Sequence, residues 1–175
     1  IAVMPITAYT RHELWGKHTP YPTVTNELQR YLSTRLEVEP QLLTIGPNDV
    51  RAHLKTLHAG KLREARRLRE EGEQYYEIGD LRRAVRSLEK AVKTYRESFA
   101  DVLEPQTLAN TLLILAHARS ELSGLSDAEK IAAKKQAGRD LTEMFFLVPQ
   151  QFVRKGFYPP AFEELLEDAL SDFRT

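Results

Sequence analysis

The side chains best suited to metal chemistry are His12, Glu13 and His18, which lie close together near the start of the chain. A zinc site of the H-E-x-x-H kind places two histidines four residues apart, so that both project from one face of a helix. Gly16 stands where the second histidine would be needed. The spacing therefore favours a loop of solvated or locally bonded histidines, and we expect no bound metal.

The remaining catalytic patterns are incomplete as well. The chain has no cysteine, which excludes thiolate catalysis, disulfides and Cys-based zinc sites. Residues 46–49 lack the glycines and the lysine of a phosphate-binding loop, and no G-x-S-x-G elbow presents a serine nucleophile. The carboxylates near the end of the chain indicate a solvated face and define no pocket for acid–base work: Glu163, Glu164, Glu167, Asp168 and Asp172. We therefore expect a non-enzymatic protein without a cofactor.

Length and composition describe an ordinary globular protein with a core of its own. The 175 residues are 42% apolar and 29% charged, and the formal net charge is zero, so a general affinity for nucleic acid is not expected. No run approaches the ~18 apolar residues that are needed to cross a bilayer. Because the sequence opens at Ile1 in an apolar run, without an initiator methionine or a charged leader, we expect a segment of a longer protein.

The first third of the chain predicts a small α/β module. Short apolar, β-branched runs at residues 1–6 and 41–45 are typical of strands. Helices are indicated at residues 23–36 and from residues 48–49 onward. Strand, helix, strand, helix is a right-handed βαβα unit. Two parallel strands alone make a poor sheet, so either further strands come from outside the chain or the helical part covers them.

From Lys61 onward, apolar residues recur every three or four positions, which predicts helices to the end of the chain. Gly79 can adopt the left-handed conformation that ends one helix, and Asp80 can cap the next. Gly72 and Ala84 are small enough to let the two helices approach closely. The apolar faces carry Leu62, Ala65, Leu68, Gly72, Tyr75 and Tyr76 on the first helix, and Leu81, Ala84, Val85, Leu88, Ala91, Val92 and Tyr95 on the second.

Three further helices are predicted, over about residues 106–123, 127–148 and 160–173. The expected fold class is therefore α+β but predominantly α. A small βαβα module at residues 1–58 is followed by an antiparallel array of about five helices at residues 59–175.

Seven residues of the first hairpin fall at the positions of a known helical-repeat motif: Gly72, Tyr75, Gly79, Leu81, Ala84, Leu88 and Ala91. This order of residues resembles a tetratricopeptide repeat (TPR). Arg96 stands where that motif usually closes with proline, and an ordinary antiparallel helix pair is the alternative. Ala137, Leu141 and Met144 fit a degenerate second repeat or, equally, a plain helical hairpin.

Two further resemblances indicate a bacterial setting. The Leu-Val-Pro segment at residues 147–149, followed by Tyr-Pro-Pro at residues 158–160, is similar to the repeats that precede PEGA domains in bacterial envelope proteins. Residues 1–58 are similar to the amino-terminal module of TolB-like envelope proteins. These resemblances imply a periplasmic or envelope-associated protein, with a cytoplasmic location as the alternative.

In tetratricopeptide-repeat proteins the inner helical face often holds an extended peptide or a partner's helix. The resemblance places six residues on that face: Arg66, Arg69, Glu73, Tyr76, Asn110 and His117. Thirteen basic and seven acidic residues between positions 51 and 96 give a net charge of +6, which would suit an acidic peptide or an envelope component. Solvated helix faces with ion pairs are the alternative reading of this charge. Capture of a free carboxyl terminus is not expected, because Glu70 and Glu73 intrude.

Aromatic residues concentrate near the end of the chain. The members of this group are Phe145, Phe146, Phe152, Phe157, Tyr158 and Phe162. Packing of the last helices against each other is the default expectation. Any part that is exposed would instead form a docking patch for a partner.

The function that we expect from the sequence is a protein–protein interaction scaffold in a bacterial cell-envelope assembly, which binds its partner through the TPR-like groove. The alternative is a module that senses or binds a small ligand at the carboxyl ends of the predicted strands, near residues 7–10 and Gly46. A deep polar pocket there would favour the ligand module. An open groove beside Arg69, Glu73 and Tyr76 would favour the scaffold.

Overall fold

The structure, a computed structural model, describes residues 47–150 and 156–174. It contains these helices: α1 (Pro47–Leu57), α2 (Ala59–Glu77), α3 (Leu81–Glu97), α4 (Ala100–Leu103), α5 (Pro105–Ser120), α6 (Asp127–Leu147) and α7 (Pro160–Arg174). The chain divides between Leu57 and His58 into two units, so that α1 belongs to the first unit and the other helices belong to the second. None of the described helices is long and apolar enough to cross a membrane.

The predicted α+β fold class is wrong, because the described residues are 84% helical and contain no strand. The expected strands at residues 1–6 and 41–45, and the expected helix at residues 23–36, lie outside the described part of the chain. Apolar runs of five or six residues do not distinguish a strand from a helix by periodicity, and they are a weak basis for a βαβα module. Of that module, the structure describes the helix α1, with Asp49 in its first turn.

The turn between α2 and α3 follows the local sequence closely. Gly79 adopts a left-handed φ of 79°. Its N–H donates to the carbonyl of Tyr76, and the N–H of Asp80 donates to the carbonyl of Tyr75, at 3.0 and 2.9 Å. These two bonds form a Schellman motif, which satisfies carbonyls at the end of α2. The Asp80 carboxylate then accepts a hydrogen bond from the backbone N–H of Arg83 and caps α3. The predicted reversal at this turn is confirmed.

Helices α2 and α3 pack at a distance that only glycine at position 72 permits. A Cβ atom placed on Gly72 would lie 2.6 Å from Cγ of Leu88 and 3.2 Å from its backbone nitrogen. Around this contact, apolar side chains of both helices are buried: Leu62, Ala65, Leu68, Ala84, Val85, Leu88, Ala91, Val92 and Tyr95. The small residues of the hairpin therefore set the helix separation, as the sequence indicated.

The connections around α5 and α6 are also set by local residues. Pro105 opens α5, where its missing N–H is not needed for a helical hydrogen bond. Ser126 and Glu129 form a capping box at the start of α6, in which each side chain bonds the other residue's backbone N–H. The hairpin that these caps define packs through Leu108, Leu112, Leu115, Ala137, Leu141 and Met144, all of which are buried.

Helix α7 departs from the expected antiparallel arrangement, because it runs parallel to α6. Leu165 lies against Gly138, and Phe173 contacts Phe146 with ring centroids 5.0 Å apart. Residue numbers therefore rise in the same direction along both helices. The connection between Leu147 and Pro160 is long enough for this, since its extended length exceeds the ~31 Å of α6.

A buried ion pair ties α3, α5 and α6 together. Arg119 of α5 donates to the carboxylate of Asp140 on α6, and the side chains are 11% and 4% exposed. Arg119 also donates to Glu89 of α3 at 2.7 Å, and Gln136 donates to Asp140 at 3.2 Å. Burial raises the pKa of Asp140, and the charge of Arg119 acts in the opposite direction.

We predict that Gly72→Ala destabilises the protein by about 1–3 kcal/mol, because the new methyl group forces α2 and α3 apart. This loss exceeds the ~1 kcal/mol that alanine gains over glycine in a helix. Gly60→Ala is the matched control, since a Cβ there meets nothing within 4 Å. Urea denaturation measures both variants, and equal stability of the two would contradict the close helix contact.

We also predict that Asp140→Ala costs about 3 kcal/mol of unfolding free energy, because it leaves the buried charge of Arg119 without its main partner. The control is Glu89→Ala, which removes the half-exposed partner of the same arginine. That variant should lose less than about 1 kcal/mol. A larger loss in Glu89→Ala than in Asp140→Ala would show that the buried pair is not the main link.

Candidate functional site

The six residues predicted to bind a partner all lie in the second unit, on α2 and α5. We call this set the polar face, and it comprises Arg66, Arg69, Glu73 and Tyr76 of α2 with Asn110 and His117 of α5. The structure joins the two helices at both ends of this set, through separate contacts.

At one end of the polar face, ion pairs hold the arginines of α2. Arg66 binds the carboxylate of Glu104, the residue that precedes α5, with both its Nε and Nη2 atoms. Arg69 donates to Glu73 at 2.7 Å within α2. The nearby Tyr95 is fully buried, and this burial raises the pKa of its hydroxyl. These bonds hold the charged side chains in place and link α2 to the start of α5.

At the other end, the hydroxyl of Tyr76 and Nδ1 of His117 share a hydrogen bond of 2.5 Å between α2 and α5. The rings of Tyr158 and Phe162 pack against the His117 ring, with centroids 5.0 and 4.7 Å away. This end of the polar face is therefore covered by the chain's own α7 and the residues before it. Asn110 accepts a hydrogen bond from Gln106 at 3.1 Å.

His117 is held as a neutral imidazole in this cluster. The residue is 9% exposed, and its Nε2 atom has no hydrogen-bond partner within the described residues. Burial lowers the pKa of His117, and the carboxylate of Glu121 opposes this shift more weakly. The surrounding hydroxyls stay protonated as well, because burial raises the pKa of Tyr76 and of Tyr158.

The polar face is engaged in contacts within the fold. Its histidine is bonded to Tyr76, and burial raises the pKa of that tyrosine. No three potential metal ligands converge in residues 47–150 and 156–174. Because all six side chains bind other side chains of the fold, the structure gives each of them an internal role. Their role in partner binding stays a prediction.

The second unit also carries an open groove between α6 and α7, with a volume of about 760 Å³. We call it the α6–α7 groove, and its lining includes Ile131, Lys135, Gly138, Arg139, Phe146, Leu165, Asp168 and Ala169. Ile131 and Phe146 are 70% and 66% exposed. The α6 residues recur every three or four positions and so form a stripe along one helix face.

The sequence contained part of the signal for this groove. The group of aromatic residues near the chain end predicted core packing or, where exposed, a docking patch. Phe145 shows the first outcome and Phe146 the second. Phe145 is 5% exposed and packs in the core, whereas Phe146 projects into the groove. The contribution of Ile131 and of the basic residues on α6 was missed, because it depends on where α7 lies.

No known family model, curated protein or solved structure matches this chain. What the described residues and their geometry define is a helical protein, in whose second unit α2 packs with α3 and α5 packs with α6 as hairpins.

We predict that the unfolding free energy falls as the pH decreases from about 7.5 to about 5.5. Unfolded His117 takes up a proton near its ordinary pKa of about 6.5, whereas burial lowers the pKa of His117 in the folded protein, so acid favours the unfolded chain. The contribution of one such group is at most about 1.4 kcal/mol per pH unit.

The measurement is urea denaturation at a series of pH values for the wild type and for His117→Phe, which keeps a ring but cannot titrate. The variant should show a flatter dependence on pH. His53→Phe, at an exposed position of α1, is the control for removing a histidine elsewhere. Equal slopes for the wild type and His117→Phe would contradict the neutral buried imidazole.

Proposed function

We propose that the chain is a non-enzymatic protein–protein interaction scaffold, and that its docking surface is the α6–α7 groove. One observation carries this proposal: the groove exposes Phe146 and Ile131 along an otherwise apolar floor formed by Leu165 and Ala169. Two large apolar side chains that are exposed in one groove and flanked by charged residues favour a protein-interaction site. The α6 stripe from Ile131 to Phe146 is about 23 Å long, which suits a helix of four turns.

The chemistry of the described residues supports binding over catalysis. The charged side chains at the centre of the second unit are engaged in ion pairs, as Arg119 is with Asp140. Lys135, Arg139 and Asp168, which border the groove, are exposed to solvent, where they are available to a charged partner. The alternative function, ligand binding at the predicted strands near Gly46, concerns residues outside the described part of the chain.

The finer description of the scaffold rests on the sequence. The tetratricopeptide-like positions of α2 and α3 and the likeness to repeats that precede PEGA domains support a helical-repeat scaffold in a bacterial envelope assembly. The Schellman turn at Gly79 and the tight contact at Gly72 are compatible with that repeat. Membership of that family and a periplasmic location stay predictions.

We predict that a photo-crosslinking amino acid at position 146 traps a bound protein in the native cells. p-Benzoylphenylalanine at this position replaces one exposed aromatic ring by another, so the fold should be kept. The control is the same substitution at Ile78, which is 75% exposed in the turn between α2 and α3. Mass spectrometry of the adducts should find protein crosslinks from position 146 and none from position 78. Absence of any protein adduct at position 146 would overturn the docking function.

A further inference from the structure

We propose that the α6–α7 groove binds the same groove of a second copy of this chain, which gives a symmetric dimer. The inference rests on the proposed docking function and names the partner. It is carried by the arrangement of charges along the two edges of the groove, which are opposite in sign and matched in spacing.

One edge of the groove is basic and the other is acidic. On α6, Lys135 and Arg139 are exposed and four residues apart, so they lie on one side of the helix. On α7, Asp168 and Asp172 line the groove four residues apart. Glu164 is exposed four residues before Asp168, on the same side of the helix. The apolar floor lies between these two rows. The groove is therefore divided lengthwise into a positive half and a negative half.

The two rows are also in register along the helix axes. Because α6 and α7 are parallel, Leu165 lies beside Gly138 and Phe173 beside Phe146, and each pair differs by 27 positions. By the same offset, Asp168 lies at the height of residue 141, and Glu164 lies at the height of residue 137. Asp168 is thus two residues beyond Arg139, and Glu164 two residues beyond Lys135, which is about 3 Å in each case.

A second copy fits this pattern through one kind of two-fold axis. An axis parallel to the helices places α6 of each copy over α7 of the other and leaves all heights unchanged. Arg139 of one copy then faces Asp168 of the other, and Lys135 faces Glu164. An axis across the helices would place basic rows on basic rows and acidic rows on acidic rows. Charge complementarity therefore selects the parallel axis.

The same arrangement covers the exposed apolar residues. Phe146 of each copy is brought over α7 of the other copy at the height of Phe173, and it leaves water. Glu143, the next residue in the α6 row, would face Asp172 of the second copy, which has the same charge. Arg96 binds Glu143 and supplies the positive charge that compensates this pair. A symmetric dimer thus buries the apolar floor of the groove and pairs the basic edge of each copy with the acidic edge of the other.

The test is a charge exchange in the full chain, followed by analytical ultracentrifugation across the micromolar range. The wild type should sediment at twice the monomer mass. Lys135→Glu with Arg139→Asp makes both edges acidic, and Glu164→Lys with Asp168→Lys makes both edges basic, so each double variant should be monomeric. An equimolar mixture should again form dimers, because each variant presents the edge that the other lacks.

Two further variants complete the experiment. Lys90→Glu with Lys93→Asp reverses two exposed charges of α3 outside the groove and should remain dimeric. Phe146→Ser should be monomeric without any change of charge, and circular dichroism should show full helicity for all variants. A monomeric wild type, double variants that remain dimeric, or a mixture that stays monomeric would each overturn the symmetric dimer. A monomeric wild type that still crosslinks from position 146 to another protein would leave the docking function in place.

Discussion

The close contact between Gly72 of α2 and Leu88 of α3 is the constraint on which the helical unit depends. Leu88 occupies the space that any side chain at position 72 would need, so the two helices lie near enough to exclude water from the residues around them. The outer side of α3 then offers Glu89 and Arg96, which reach Arg119 of α5 and Glu143 of α6. The first hairpin is therefore the surface on which the second hairpin is placed.

The features that the sequence predicted correctly are those that a few neighbouring residues determine. Gly79 followed by Asp80 specifies both the end of α2 and the start of α3, and the predicted start of a helix at residue 127 agrees with the start of α6. The α+β assignment failed because it rested on short apolar runs, which do not distinguish strands from helices. The direction of α7 was missed because an amphipathic pattern fixes which face of a helix is buried but leaves its direction open.

The candidate site was harder to predict than the helices, because its contacts join residues far apart in sequence. Arg66 binds Glu104 across 38 positions, and Tyr76 binds His117 across 41. From the sequence alone, a polar residue that binds a partner protein cannot be distinguished from one that forms a contact within the fold. The predicted groove face therefore contains the right residues for a polar cluster, but the structure uses three of them, Arg66, Tyr76 and His117, to join α2 to α5 and the residue before it.

The direction of α7 links the two surfaces. Since α7 runs parallel to α6, its first turn brings Phe162 onto His117 at one end of the unit, and its last turn brings Phe173 beside Phe146 at the other. An antiparallel α7 would exchange these ends and reverse the acidic row against the basic row of α6. The parallel direction of α7 therefore produces both the covered end of the polar face and the open groove with one basic and one acidic edge. The connection before Pro160 is long enough to allow this direction.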